Sequence, residues 1–404
     1  MKRFLAHLVI LAALALPQPG LTQDRIIEGG PQTLADTRSL GDVIRAATAP
    51  VHVSFVHGMR AEGPGASAAF RSGLLRRFRG SGSGDPVRRF LDLGERPDAA
   101  IGGRRIWATD PDWAASRPFV DRYTLRLAGG AVVVVDEVNW WPLLFPIKCR
   151  FIVLPEHDLS GDDEEHLRLC AGHAPAPNRA LYHPWLTDEE LRRALDTPSR
   201  SGGGASANAM LKREILNWGL ADAVIALGPM RQYLHRAMQD AFEIAVEGQV
   251  AGRAQDHILI AESLGSFVVL DALNSHAPAV GDYLERTRDI YFFANQFALL
   301  ELARIADAPN ASRRAPGPQS PLGQLEALGE VSAAAPRHRQ IIALSDPSDL
   351  LTYRVPEIRG TIVVNVYIRN ARRIFGLANP MRAHTGHADN PTVWDVLLAP
   401  RDGE

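Results

Sequence analysis

The sequence predicts an α/β protein with a mostly parallel central sheet flanked by helices. Three observations carry this. Short runs at Val51–Val56, His257–Ala261, Ile290–Ala294, Gln340–Leu344 and Thr361–Ile368 are apolar and rich in β-branched residues, as buried strands are. Helical patterns separate them: Phe70, Leu74, Leu75 and Phe78 fall at helical spacing, and Met230, Leu234, Met238, Phe242 and Ala245 form one stripe. The alternation continues without a fixed-period repeat, which favours a parallel sheet over a solenoid.

The chain has 404 residues, 46% hydrophobic and 22% charged, enough for one large domain or two ordinary ones with a sizeable core. A formal charge of −2 argues against a nucleic-acid partner, which would need a basic field.

The first 23 residues read as a signal peptide. Lys2 and Arg3 form its positive end, Phe4–Leu16 its apolar core, and Pro17, Pro19 and Gly20 break the run before a polar stretch. That core falls short of the roughly 20 residues needed to span a bilayer. Export is therefore expected, with an uncleaved anchor as the alternative. Cys149 and Cys170 are the only cysteines. In an oxidising compartment they are expected to close one disulfide; two separate buried thiols are the other reading.

Along the mature chain, a short helix is expected over Leu40–Ala47. The Val51–Val56 strand ends in His57-Gly58, where glycine permits a sharp turn. Gly80–Gly84 reads as a flexible surface connector. Thr124–Leu127 and Val132–Val138 read as a hairpin around Ala128-Gly129-Gly130. Trp140, Trp141 and Phe145 lie in an unusually apolar segment, read either as core under a lid or as the wall of an apolar substrate site. Asp158–His166 is an acidic surface stretch. His166, Cys170 and His173 are too few for a metal site without a fourth ligand. Ser199–Asn208 is a Ser/Gly-rich loop, followed by helices over Met210–Leu220 and Pro229–Val246. A mainly helical insertion is thus expected over about 140–250. Pro309–Gly323 is a Pro-rich surface excursion.

The chemistry concentrates at Asp256–Asn274. The strand His257–Ala261 passes through Glu262-Ser263-Leu264-Gly265 directly into a helix. Such a turn holds its central side chain clear of the sheet, and small residues must flank it because the two backbones nearly touch. Ala261 and Gly265 meet that need. The pattern is the nucleophile elbow of serine hydrolases, in the form Ala-x-Ser-x-Gly. An ordinary strand-to-helix turn is the bland alternative.

A serine hydroxyl needs a base and an orienting acid. Both follow in the order Ser…Asp…His. Asp349 is the preferred acid, at the end of the Gln340–Leu344 strand and followed by Leu350 and Leu351, which pack the loop down; Asp346 is the alternate. His384 is the preferred base, after the last strand and ahead of a closing helix over Asn390–Leu398; His387 is the alternate. The backbone N–H groups of Leu264 and Met59 would form the oxyanion hole. His57 itself is read as structural.

With the His-Gly turn, the Ala-Glu-Ser-Leu-Gly elbow, the Ser-Asp-Pro-Ser-Asp loop and the Ala-His-Thr-Gly-His loop in view, the chain resembles an α/β-hydrolase from Val51 to Leu398, apart from the insertion. The elbow and acid loop resemble those of uncharacterised bacterial members, and with the leader this gives the expectation of an exported, periplasmic or secreted protein. The resemblance also implies a serine esterase or lipase-like enzyme that needs no metal or organic cofactor and acts on a small-molecule or lipid ester, with peripheral membrane contact compatible. Trp140, Trp141 and Phe145 would then favour an apolar acyl group. An acyltransferase on the same triad and a catalytically silent binding protein are the alternatives.

Overall fold

The computed structural model describes residues 26–59, 63–82, 84–97, 100–101, 104–107, 110–153, 168–172, 212–247, 257–273, 277–301, 339–371, 373–374 and 377–401. The expected signal peptide, the acidic stretch, the 199–208 loop and the Pro-rich excursion lie outside these residues. Among the described residues, one compact unit holds Arg96–Arg117 and Trp141–Met230, and the other holds the rest.

The larger unit is a mixed α/β structure around a ten-stranded, mostly parallel sheet. Its strands are β1 (Ile27–Gly29), β2 (Val51–Val56), β3 (Ser81–Gly82), β4 (Val87–Phe90), β5 (Phe119–Arg126), β6 (Val132–Asn139), β7 (His257–Glu262), β8 (Thr287–Phe293), β9 (Arg339–Ser345) and β10 (Thr361–Tyr367). The spatial order is β1-β10-β9-β8-β7-β2-β6-β5-β3, with β4 also on β5. The six strands from β10 to β6 run parallel; β1, β3, β4 and β5 join antiparallel.

Parallel strands are covered on both faces, which is why β7 is buried from His257 to Ala261 and β9 along its whole length, with apolar cores at Ile258–Ala261 and Ile341–Leu344. On one face Val53, Phe55, Ile258, Ile260, Tyr291, Ile342 and Val364 share a core with α1 (Leu40–Ala46), α2 (Ala68–Arg77) and the last helix. There Gly73 lies so close to Trp394 that a Cβ would fall 1.9 Å from the indole. Helices α3 (Arg231–Val246), α4 (Leu264–Leu273) and α5 (Pro278–Arg286) pack on one another and on β7, β2, β6 and β8. Phe242 stacks on Tyr283 with centroids 4.4 Å apart. Arg231 of α3 grips the Asp271 carboxylate of α4 through two hydrogen bonds.

In detail the structure differs from the sequence expectations. The expected hairpin forms, but its first strand starts at Phe119, and Gly129 and Gly130 turn it with φ near 90°. In place of a connector, Ser81–Gly82 pairs with Leu125 and Arg126. Val87–Phe90 forms an exposed edge strand for which the sequence gives no expectation. The expected insertion over about 140–250 takes in described residues of the smaller unit from Trp141 to Met230 and helix α3 of the larger one. The stripe of Leu234, Met238 and Phe242 is buried within the larger unit, because α3 packs on α4 and α5.

In the smaller unit Cys149 and Cys170 form a disulfide, packed with Phe145, Val153 and Trp218. A buried Lys148–Asp222 ion pair of 2.8 Å lies in the same unit.

Candidate active site

The site gathers beyond the carboxyl ends of the parallel strands of the larger unit. Its first part is the elbow. Ser263 lies between β7 and α4 with φ 49°, a left-handed backbone that L-residues rarely adopt. Its N–H donates to the Phe293 carbonyl at 2.8 Å, and its carbonyl accepts from Ser266. Gly265 is required here, since a Cβ would fall 2.3 Å from the His57 carbonyl oxygen. Gly58 is required from the other side: a Cβ there would lie 2.7 Å from the Ser263 Cβ. The His57-Gly58 turn thus brings the chain after β2 against the nucleophile candidate.

Ser263 Oγ lies 2.8 Å from Nε2 of His384, and Nδ1 of His384 lies 2.7 Å from Oδ2 of Asp349. Asp349 is an anionic acceptor, so Nδ1 carries the ring proton and Nε2 accepts from the serine. The Asp349 side chain is only 1% exposed. Burial pushes its pKa up, but hydrogen bonds from His384, Thr352 and the Leu351 N–H outweigh this and hold it below the ordinary carboxylate range.

Asp346 and His387, the alternates, lie beside this relay but outside it. Asp346 accepts from the N–H groups of Ser348, Asn370 and Ala371 at 2.7, 2.5 and 3.0 Å, tying the acid loop to the chain after β10. His387 is buried, stacks on Phe293, and has Nδ1 3.1 Å from the His384 carbonyl. Burial lowers its pKa to about 4, so it is neutral near pH 7.

His384 sits on a short helix, Pro380–Thr385, rather than in a loop. The sequence reason is Asn379-Pro380: Asn379 caps the N–H groups of Met381 and Arg382, and proline suits the first helical position. Asn370 and Asn390 brace this helix, with Asn370 Nδ2 donating to the Ala383 carbonyl at 3.0 Å and Asn390 Nδ2 donating to Asn370 Oδ1 at 2.9 Å.

Leu264 is the first residue of α4, where an N–H has no acceptor within the helix. Met59 is the last described residue before a stretch outside the described set. Beyond it, the Glu137 carboxylate at the end of β6 gathers the returning loop, accepting from the N–H groups of Gly65 and Ser67 and the Ser67 hydroxyl at 2.6, 2.9 and 2.5 Å. Burial pushes the Glu137 pKa up, and these hydrogen bonds bring it below its ordinary value.

His57 is buried, its Nδ1 2.8 Å from the Gly58 carbonyl oxygen. The Trp140 ring stacks on it at 4.7 Å and donates its indole N–H to the His57 carbonyl at 3.2 Å. Trp140 is fully buried, so it is core behind the His-Gly turn rather than a cleft wall. Trp141 and Phe145 meet edge to face in the smaller unit.

Sequence reasoning missed Gln296. It follows the end of β8, is 1% exposed, and has Nε2 2.9 Å from Ser263 Oγ. It also missed the state of Glu262, the residue before Ser263, whose carboxyl is pushed by burial up to about 7.

Among the described residues no group of three His, Cys, Asp or Glu could hold a metal ion. His166 and His173 lie outside them, and Cys170 is in the disulfide. In comparisons with known proteins, no family model, curated protein or solved structure matches the chain.

Proposed function

We propose that the chain is a serine hydrolase of the α/β-hydrolase superfamily that cleaves carboxylic esters through an acyl-enzyme. The observation that carries this reading is the unbroken relay from Ser263 Oγ to His384 Nε2 at 2.8 Å and from His384 Nδ1 to Asp349 at 2.7 Å. It is anchored on a left-handed serine between a buried parallel strand and a helix. The chain order Ser…Asp…His supports it further, as does the placement of Ser263 and Asp349 just past the carboxyl ends of β7 and β9.

In the first half-reaction Ser263 Oγ attacks the ester carbonyl carbon while His384 Nε2 takes its proton. The oxyanion accepts from the N–H groups of Leu264 and Met59. Collapse expels the alcohol, which takes the proton back from His384. Asp349 holds the ring tautomer and stabilises the imidazolium without itself becoming protonated. In the second half-reaction water replaces the alcohol and the acid is released.

The partner is a small-molecule or lipid ester. Export to the periplasm or medium belongs to the same proposal, supported by the Cys149–Cys170 bridge, which persists in oxidising compartments. Among the described residues no helix is long and apolar enough to cross a membrane.

The test is hydrolysis of p-nitrophenyl esters across acyl lengths, wild type beside Ser263→Ala. Loss of turnover in the variant is expected, and an optimum in acyl length would size the pocket. Equal rates in both proteins would remove Ser263 from the chemistry.

A further inference from the structure

The chain after β8 repeats the geometry of the elbow one strand away. Glu262 of β7 pairs with Phe293 of β8, and the next residue on each strand is left-handed: Ser263 at φ 49° and Ala294 at φ 50°. A left-handed alanine is strained, and such strain persists only where surrounding contacts over-determine it. Here the Ala294 N–H donates to the Leu344 carbonyl at 3.0 Å. Asn295 is locked to the acid loop in both directions: its Nδ2 donates to the Tyr353 carbonyl at 2.8 Å, and its carbonyl accepts from the Tyr353 N–H at 3.2 Å. Gln296 then opens α6 (Phe297–Glu301), its carbonyl accepting from the Leu300 N–H. The outcome of this bend is a buried side-chain amide aimed at the nucleophile.

Proton accounting fixes what that amide does. Asp349 requires the His384 proton on Nδ1, so Nε2 is an acceptor and takes the one proton of Ser263 Oγ. Oγ has none left to give, so the group 2.9 Å away must donate to it. The Gln296 amide is therefore oriented with Nε2 towards the serine.

We infer that Gln296 is a further catalytic residue, whose side-chain N–H holds Ser263 Oγ and stabilises it as the leaving oxygen when the acyl-enzyme is hydrolysed. This rests on the serine-hydrolase reading of the site. In acylation the donor has two opposed effects: it stabilises the negative charge that Oγ gains as its proton leaves, and it makes the same oxygen a weaker nucleophile. In deacylation the effects no longer oppose. Water attacks the acyl carbon and His384 Nε2 takes its proton. The C–Oγ bond then breaks, its electron pair goes to Oγ, Oγ takes the proton from His384, and the carboxylic acid departs. The Gln296 N–H stabilises charge on Oγ throughout that departure, at a serine that is itself buried.

The experiment is stopped-flow hydrolysis of p-nitrophenyl butyrate by wild type, Gln296→Met, Gln296→Glu and Ser263→Ala. In Gln296→Met, which keeps the length but removes the donor, the burst of p-nitrophenol should stay within about threefold of wild type. The steady rate should fall about 10- to 100-fold, with KM falling alongside and acyl-enzyme accumulating in acid-quenched mass spectra. In Gln296→Glu only the protonated carboxyl donates, so its deacylation rate, relative to wild type, should fall as pH rises; this variant carries the test if Gln296→Met does not fold. Steady rates within twofold of wild type, a burst slowed as much as the steady phase, or a Gln296→Glu profile parallel to wild type would overturn the inference while leaving the Ser263 mechanism in place. No burst and no turnover in wild type would sink both.

Discussion

Ser263 and Ala294 carry the same left-handed backbone at the ends of adjacent parallel strands, with φ 49° and 50°. A Cβ in this region costs about 1–2 kcal/mol, and neither residue is glycine. At Ser263 the side chain is the purpose of the bend. At Ala294 the bend carries the chain from β8 to Gln296. Replacing Ala294 by glycine should therefore relieve strain, raising stability by up to about 1 kcal/mol. Ala294→Val, β-branched and buried, should lose about 2 kcal/mol or more. Urea unfolding of the two variants checks both signs.

The two glycines that crowd Ser263 should fail differently. A Cβ on Gly265 meets backbone, 2.3 Å from the His57 carbonyl oxygen and 2.8 Å from that of Val56. Gly265→Ala is expected to destabilise the protein by roughly 1–3 kcal/mol, as overpacking does. A Cβ on Gly58 meets Ser263 itself, 2.7 Å from its Cβ, and lies 3.1 Å from the Glu262 carbonyl oxygen, so the clash falls on the nucleophile candidate's own turn. Gly58→Ala should cost more of the proposed esterase activity than of stability, because the displacement falls on Ser263 and on the turn carrying the proposed Met59 donor. Thermal melts beside kcat/KM separate the two outcomes.

The two aspartates of the acid loop should divide chemistry from architecture. Asp349→Asn leaves the shape but removes the anion that fixes the His384 tautomer, and kcat should fall by about 10⁴. Asp346→Asn weakens three backbone hydrogen bonds and touches neither His384 nor Ser263. It should lower stability by roughly 1–3 kcal/mol and cost far less activity. A larger kcat loss in Asp346→Asn than in Asp349→Asn would reverse the assignment.

Two buried histidines set an acid limit on the fold. Burial, with His52, Arg286 and Arg122 nearby, lowers the His257 pKa to about 3, and burial lowers that of His387 to about 4. Unfolded histidine titrates near 6.5. Below that pH the unfolded chain binds protons that the folded one refuses, so stability is complete above 6.5 and lost as pH falls towards 3–4. At pH 5 the loss should reach up to about 2 kcal/mol for each histidine. Urea midpoints at pH 7.5 and 5.0, repeated with His387→Gln, measure the share from that site.

Much of this site is legible in the sequence because its signals are local. A buried strand running through Glu-Ser-Leu-Gly into a helix marks Ser263, and Asp-Pro-Ser-Asp after a strand marks the acid loop. What is not legible depends on contacts between strands. Gln296 meets Ser263 only because β7 and β8 pair in parallel register, and neither period nor propensity records that pairing. Glu137 likewise binds the Gly65–Ser67 turn through the pairing of β6 beside β2. The α3 stripe shows an apolar face but not that α4 and α5 cover it. Val87–Phe90 escaped notice because two central arginines on an exposed edge do not read as a strand. The short helix of His384 was signalled by Asn379-Pro380.

The most direct test of the central claim is reaction with a fluorophosphonate, read by peptide mass spectrometry. The relay from Ser263 through His384 to Asp349 should give one adduct per chain, on the peptide containing Ser263. Labelling should vanish in Ser263→Ala and slow by orders of magnitude in His384→Ala. An adduct on another residue, or none on a folded wild-type protein, would contradict the account.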